Sequence, residues 1–133
     1  MPENFYRTIM LVDDDVEDQE IFMEAINEVD PTIRCLCEDS SEVALNILST
    51  NGVNKPDLLI IDLNMPRLNG KQLLRELKGN ELLKHIPVIM FSTFFGPGDI
   101  REITDSGAAH YLIKSTNFAD LQKSLATILS TRW

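Results

Sequence analysis

The 133-residue chain has no apolar run longer than a strand, and its first residues, Met1-Pro2-Glu3-Asn4, lack both the basic start and the apolar core of a signal peptide. Neither membrane insertion nor export is expected, and the expected location is the cytoplasm. Basic side chains are scarce: 12 Lys and Arg stand against 21 Asp and Glu, for a formal net charge of -9 and a pI near 4.6. Such a charge balance argues against nucleic acid and anionic membranes as partners, because neither is attracted electrostatically. No linker, internal repeat or low-complexity tract interrupts the chain. At 133 residues and 44% hydrophobic it fits one compact domain, 1–133 with a core of about 8–129, and leaves no room for a second. Cysteine is limited to Cys35 and Cys37, two apart in an expected strand, where side chains at i and i+2 share a face. The pair suits a soft metal or oxidation, but no second cysteine cluster completes a tetrahedral site, so ordinary reduced thiols are expected.

What the chain does have is two strand-like apolar runs that end in carboxylates. Ile9-Met10-Leu11-Val12 leads into Asp13-Asp14-Asp15, and Leu58-Leu59-Ile60-Ile61 leads into Asp62. Runs without polar alternation mark strands buried on both faces, as in a parallel sheet between helix layers. Further strands are expected at about 32–37, 87–91 and 111–113, and helices at about 17–29, 70–78, 99–106 and 117–129. Another helix, carrying Val43, Ala44, Ile47 and Leu48, is expected to start in a capping-box pattern at Asp39 with Glu42 and to end at Asn51-Gly52. On the first helix Ile21, Phe22, Ala25, Ile26 and Val29 share the spacing of one buried face. The helix near 99–106 has only Ile100 and Ile103 as apolar anchors and should be the least firmly held. Strict alternation of strand and helix predicts an α/β fold with right-handed crossovers, a parallel sheet and helices on both faces.

In such a sheet, ligands bind beyond the carboxyl ends of the strands. Carboxylates gathered there repel one another until a cation binds or a proton stays on, which makes a divalent-metal site the first reading. Mg²⁺ prefers oxygen ligands and commonly uses one or two carboxylates together with phosphate oxygens. Asp14 and Asp62 can supply the carboxylates, with a main-chain carbonyl of the following loop as a third ligand. An aspartate beside such an ion is a competent nucleophile toward phosphorus. Lys114, ending the fifth strand, can meet phosphoryl charge, and Ser92, ending the fourth, can donate a hydroxyl hydrogen bond.

Four segments in order, Leu11-Val12-Asp13-Asp14-Asp15, Ile60 to Pro66 with Gly70, Met90-Phe91-Ser92-Thr93 and Gly107 to Lys114, give the sequence its likeness to a known family. From about Thr8 to Leu129 it resembles the receiver domain of bacterial two-component response regulators, of the stand-alone type. The resemblance implies a flavodoxin-like sheet in order 2-1-3-4-5 with five helices, and Asp62 as phosphoacceptor. It also implies Mg²⁺ held by Asp14, Asp62 and the main-chain carbonyl of Asn64, with Asp13 acting through a coordinated water. Ser92 and Lys114 would engage the phosphoryl group, and Tyr111 would change rotamer as Ser92 is drawn inward. The expected partners are a sensor histidine kinase, of phytochrome-type or related character, or a phosphotransfer protein. A downstream protein would meet the face of the fourth helix, fifth strand and fifth helix, through which the chain would be a monomer or weak homodimer. No independent substrate turnover is expected.

Two features depart from the family pattern. Ser115 follows Lys114 where proline is usual, often in a cis peptide, and a cis bond to a non-proline residue costs about 3–4 kcal/mol. The loop Phe94-Phe95-Gly96-Pro97-Gly98 is unusually aromatic; its rings either form a docking patch or lie against the domain. A phosphorylation-independent pseudo-receiver is the alternative. A hydrolase of the haloacid dehalogenase type fits the Asp13-x-Asp15 spacing but lacks room for a cap domain and the residues expected after the pair. Taken singly, Asp15 reads as a helix N-cap, Lys114 as a solvated strand end, His85 and His110 as unpaired loop and strand-flank residues, and Trp133 as mobile.

Overall fold

The computed structural model describes residues 4–50, 54–115 and 117–133. Strands β1 (Thr8–Val12), β2 (Arg34–Glu38), β3 (Leu58–Asp62), β4 (Val88–Ser92) and β5 (His110–Ile113) alternate with helices α1 (Val16–Val29), α2 (Ser41–Ser49), α3 (Gly70–Lys78), α4 (Asp99–Asp105) and α5 (Phe118–Leu129). All strand pairs are parallel, in the order β2-β1-β3-β4-β5, so the expected topology is the observed one.

The sheet separates two apolar layers. Ile9, Leu11, Leu58, Ile60, Ile89 and Phe91 point to the layer that α1 and α5 cover with Phe22, Ile26, Leu121 and Leu125. Met10, Val12, Leu59, Ile61, Val88 and Met90 point to the layer filled by Ala44, Leu48, Leu73, Leu74 and Leu77 of α2 and α3. Every residue of β3 and β4 is buried, the condition that unalternating apolar strands meet in a doubly covered sheet.

Local details correct several expectations. Helix α2 is capped by Ser40, whose side chain accepts from the Val43 N–H; Asp39 lies one residue too early for that bond. The capping box is instead on α3, where Asn69 accepts from Gln72 N–H and the Gln72 side chain accepts from Asn69 N–H. The expected Asn51-Gly52 stop lies outside the described residues. Ile21 is 44% exposed and belongs to the rim of α1, since Phe22, Ala25 and Ile26 already fill the space against the sheet. Helix α4 has a single buried anchor, Ile103, while Ile100 is exposed; its start at Gly98 (φ 86°) has no side-chain cap. Trp133 is held in place: its indole stacks on His110 at 5.0 Å and donates to the Ile128 carbonyl, and its N–H donates to the Tyr6 hydroxyl.

Candidate phosphoacceptor and metal site

The parallel arrangement sets the carboxyl ends of β1, β3, β4 and β5 side by side, and with them Asp13 and Asp14, Asp62, Ser92 and Lys114. Oxygens of Asp13, Asp14 and Asp62 lie within 4.8 Å of one another, the only cluster of three or more ligating side chains among the described residues. Asp13 and Asp62 are buried, and Asp14 is exposed at the mouth. Asp13 is fixed from three directions: its N–H donates to Glu38 O, its Oδ1 accepts from Asp15 N–H, and its carbonyl accepts from the Gln19 side chain at 2.6 Å.

Lys114 supplies the positive charge. Its Nζ stands 2.9 Å from Asp13 Oδ2, 2.8 Å from Asp18 Oδ2 and 3.2 Å from Asp62 Oδ2, and 5.1 Å from the centre of the buried Phe91 ring. Burial alone would lower its pKa. The hydrogen bond to Asp18, the close ion pair with Asp13 and the charges of Asp13 and Asp62 outweigh that effect and hold the ammonium above its ordinary value. Burial pushes the Asp13 carboxyl up to about 6, against the pull of the Asp15 N–H and of Lys114 and with a further push from Asp62. No peptide bond among the described residues is cis, so the ammonium reaches the acids with Ser115 in trans. Asp18 was not anticipated from the sequence; the available signal was its place in the first turn of α1, four residues beyond Asp14.

Asp62 Oδ1 accepts from the Asn64 N–H at 2.9 Å, leaving Oδ2 on the Lys114 side. Ser92 Oγ donates to Phe94 O at 2.8 Å and receives the Asn64 side-chain amide at 3.3 Å. The aromatic loop divides: Phe94 is 69% exposed, whereas Phe95 packs edge-on against Tyr111 with ring centres 5.2 Å apart. His85 is exposed, and His110 lies against the Tyr111 and Trp133 rings.

The donor set suits a hard divalent cation. Three carboxylates converge, and Asp13 Oδ2, buried in its ion pair with Lys114, accepts no hydrogen bond among the described residues, so it keeps acceptor capacity.

Sequence comparison agrees with this geometry. The model of the response regulator receiver domain matches residues 9–126, and the chain belongs to that family. Response regulator Rcp1 of Synechocystis sp. is 29% identical over 128 residues, 93% of this chain and 87% of that protein. A probable methanogenesis regulatory protein, FilR2 of Methanothrix harundinacea, is 28% identical over 123 residues, 90% of this chain and 79% of that protein. Among solved structures, the phosphorylated cyanobacterial phytochrome response regulator RcpA superposes with a TM-score of 0.83 at 28% identity, covering 92% of this chain and 91% of that one. The Mn²⁺-bound form of Rcp1 superposes with a TM-score of 0.81, also at 28% identity, with the same coverage. The family is a signalling phosphoacceptor module that works with histidine kinases and downstream targets, and no helix of the described residues is long and apolar enough to cross a membrane.

Proposed function

We propose that the chain accepts a phosphoryl group on Asp62 from a sensor histidine kinase or phosphotransfer protein, with Mg²⁺ as cofactor. It then changes its binding to a downstream protein or relays the group. The observation that carries this reading is the placement of one ammonium, Lys114, against both Asp13 and Asp62 beside a third carboxylate. A buried aspartate so flanked is positioned to attack phosphorus as the phosphorus–nitrogen bond of the donor phosphohistidine breaks and its electron pair stays on the imidazole. Positioning and charge neutralisation account for most of the catalysis such a transfer needs.

Asp13, Asp14, Asp62 and the main-chain carbonyl of Asn64 are the residues that would hold the ion, Asp13 through water. When bound, the ion neutralises charge on the phosphoryl oxygens. Lys114 meets the remaining charge. Ser92 has to leave Phe94 O to donate to the phosphoryl group, which frees the loop that carries Phe95, and Tyr111 moves with its Phe95 partner. The exposed Phe94 beside this moving pair supports the α4–β5–α5 face as the output surface. The RcpA likeness supports a phytochrome-type kinase as donor.

Phosphotransfer from a radiolabelled kinase to wild type and to Asp62→Asn tests the assignment: label on wild type alone is expected, and equal labelling of both refutes it. The pseudo-receiver alternative, raised by Ser115 in place of the usual proline, predicts no Mg²⁺-dependent spectral response to beryllofluoride.

A further inference from the structure

Cys35 and Cys37 take no part in the acidic site, yet they stand together on the outermost strand of the sheet. In register they neighbour Ile9 and Leu11 of β1, and both pack on the apolar layer beneath α1. Each is only partly buried, so the open side of β2 gives solvent a route to the sulfurs.

Strand pitch separates i and i+2 by roughly 6.4–6.8 Å. That is the far limit of the span a disulfide tolerates, and the two Cβ atoms run parallel rather than toward one another. A direct sulfur–sulfur bond therefore requires β2 to bend. An ion bridging two sulfurs through bonds of about 2.3 Å each spans the gap with rotamer adjustment alone. Among the described residues the only cluster of three or more His, Cys, Asp or Glu side chains is the acidic one just beyond the carboxyl end of β1, so no third side chain of these types joins the pair. Tetrahedral zinc is thereby disfavoured. Two sulfur donors half-sunk in apolar surroundings match a soft cation content with two ligands, and thiolate donors select copper(I) among such ions.

We infer that Cys35 and Cys37 form a two-coordinate thiolate site for a soft monovalent cation of the copper(I) class. On binding, both S–H bonds release their protons to solvent and two sulfur–copper bonds form; copper enters and stays as copper(I), so no oxidant or reductant is consumed.

The test titrates the reduced protein with copper(I) against a chromophoric copper(I) chelator, anaerobically, while a thiol-reactive dye counts free sulfurs. One ion per chain should protect both thiols together. Outer-sphere losses at metal sites cost about 10–100-fold in affinity. Cys35→Ser and Cys37→Ser each remove a direct ligand and should weaken binding by at least that much. Wild-type affinity in either variant overturns the inference, as do two ions per chain with thiols protected one at a time, or binding seen only in dimers on size exclusion. If a serine variant misfolds, as far-ultraviolet circular dichroism would reveal, the thiol count on wild-type protein decides by itself.

Discussion

Replacing Gly70 by alanine tests the coupling between helix α3 and the phosphoacceptor. Gly70 is the first residue of α3, and its N–H donates to Leu63 O at 3.1 Å, which ties the helix start to the end of β3. Its φ lies outside the left-handed region, so alanine meets no backbone strain of its own. Alanine is favoured over glycine by about 1 kcal/mol in a helix interior, which sets the upper bound for the gain at this first position. Here a methyl carbon would overlap the Asp62 carbonyl oxygen and stand 2.7 Å from Leu63 Cα and 3.0 Å from the Asp62 carbonyl carbon. Carbon atoms pack comfortably at about 3.5–4.0 Å, so the two backbones must part by about 1 Å. Overpacking of this kind costs about 1–3 kcal/mol, and the bond to Leu63 O is stretched beyond usefulness, about 1 kcal/mol more. After the helix gain, a net loss of about 1–3 kcal/mol remains. At this chain length each kcal/mol lowers Tm by about 3–5 °C. The displaced backbone is that of Asp62 itself, and a misplacement near 1 Å costs about 100-fold in rate. Thermal denaturation and kinase-dependent labelling measure the two effects. Gly79→Ala is the control, with its nearest atom, Arg75 O, at 3.3 Å and an ordinary helical backbone. A Gly70→Ala protein that melts at or above wild type and is labelled at the same rate would refute the reasoning.

Three other perturbations have defined outcomes. Ser40→Ala should lower stability by about 1 kcal/mol in urea titration and Asp39→Ala by less than about 0.5, because only Ser40 caps α2; the reverse order would restore the cap to Asp39. Phe22→Ala should cost about 3–5 kcal/mol, since the ring is wholly buried and packs edge-on to Phe91 at 5.8 Å; a loss under 1 kcal/mol would mean that this layer collapses to fill the space. The Asp30 carboxyl is held down to about 2 by the Thr32 hydroxyl first, then by the Asn4 amide and the Thr32 N–H. A depressed acid contributes stability that is present above its unfolded value of 3.8 and lost as pH falls toward 2. The stability gap between wild type and Asp30→Asn should therefore close over that interval, and a gap independent of pH from 5 to 2 would argue against the assignment.

The sequence by itself determined the order and type of the elements, the double burial of β1 and β3, and the gathering of Asp13, Asp14, Asp62, Ser92 and Lys114 at one edge. It could do so because an unalternating apolar run admits few arrangements other than an inner parallel strand, and parallel strands share their carboxyl end. Tertiary structure decided what periodicity does not encode: which neighbour each side chain meets. Lys114 finds Asp18 from 96 residues away, a contact that exists only once α1 and β5 are folded against the same sheet. Trp133 is placed by His110 and Tyr6, Ile21 is left at the rim because Phe22 and Ile26 fill the space beneath α1, and Phe95 turns inward to Tyr111 while Phe94 faces out. Hydrophobic spacing reports the face of an element, whereas partner choice follows from the shape of the space remaining after the layers pack.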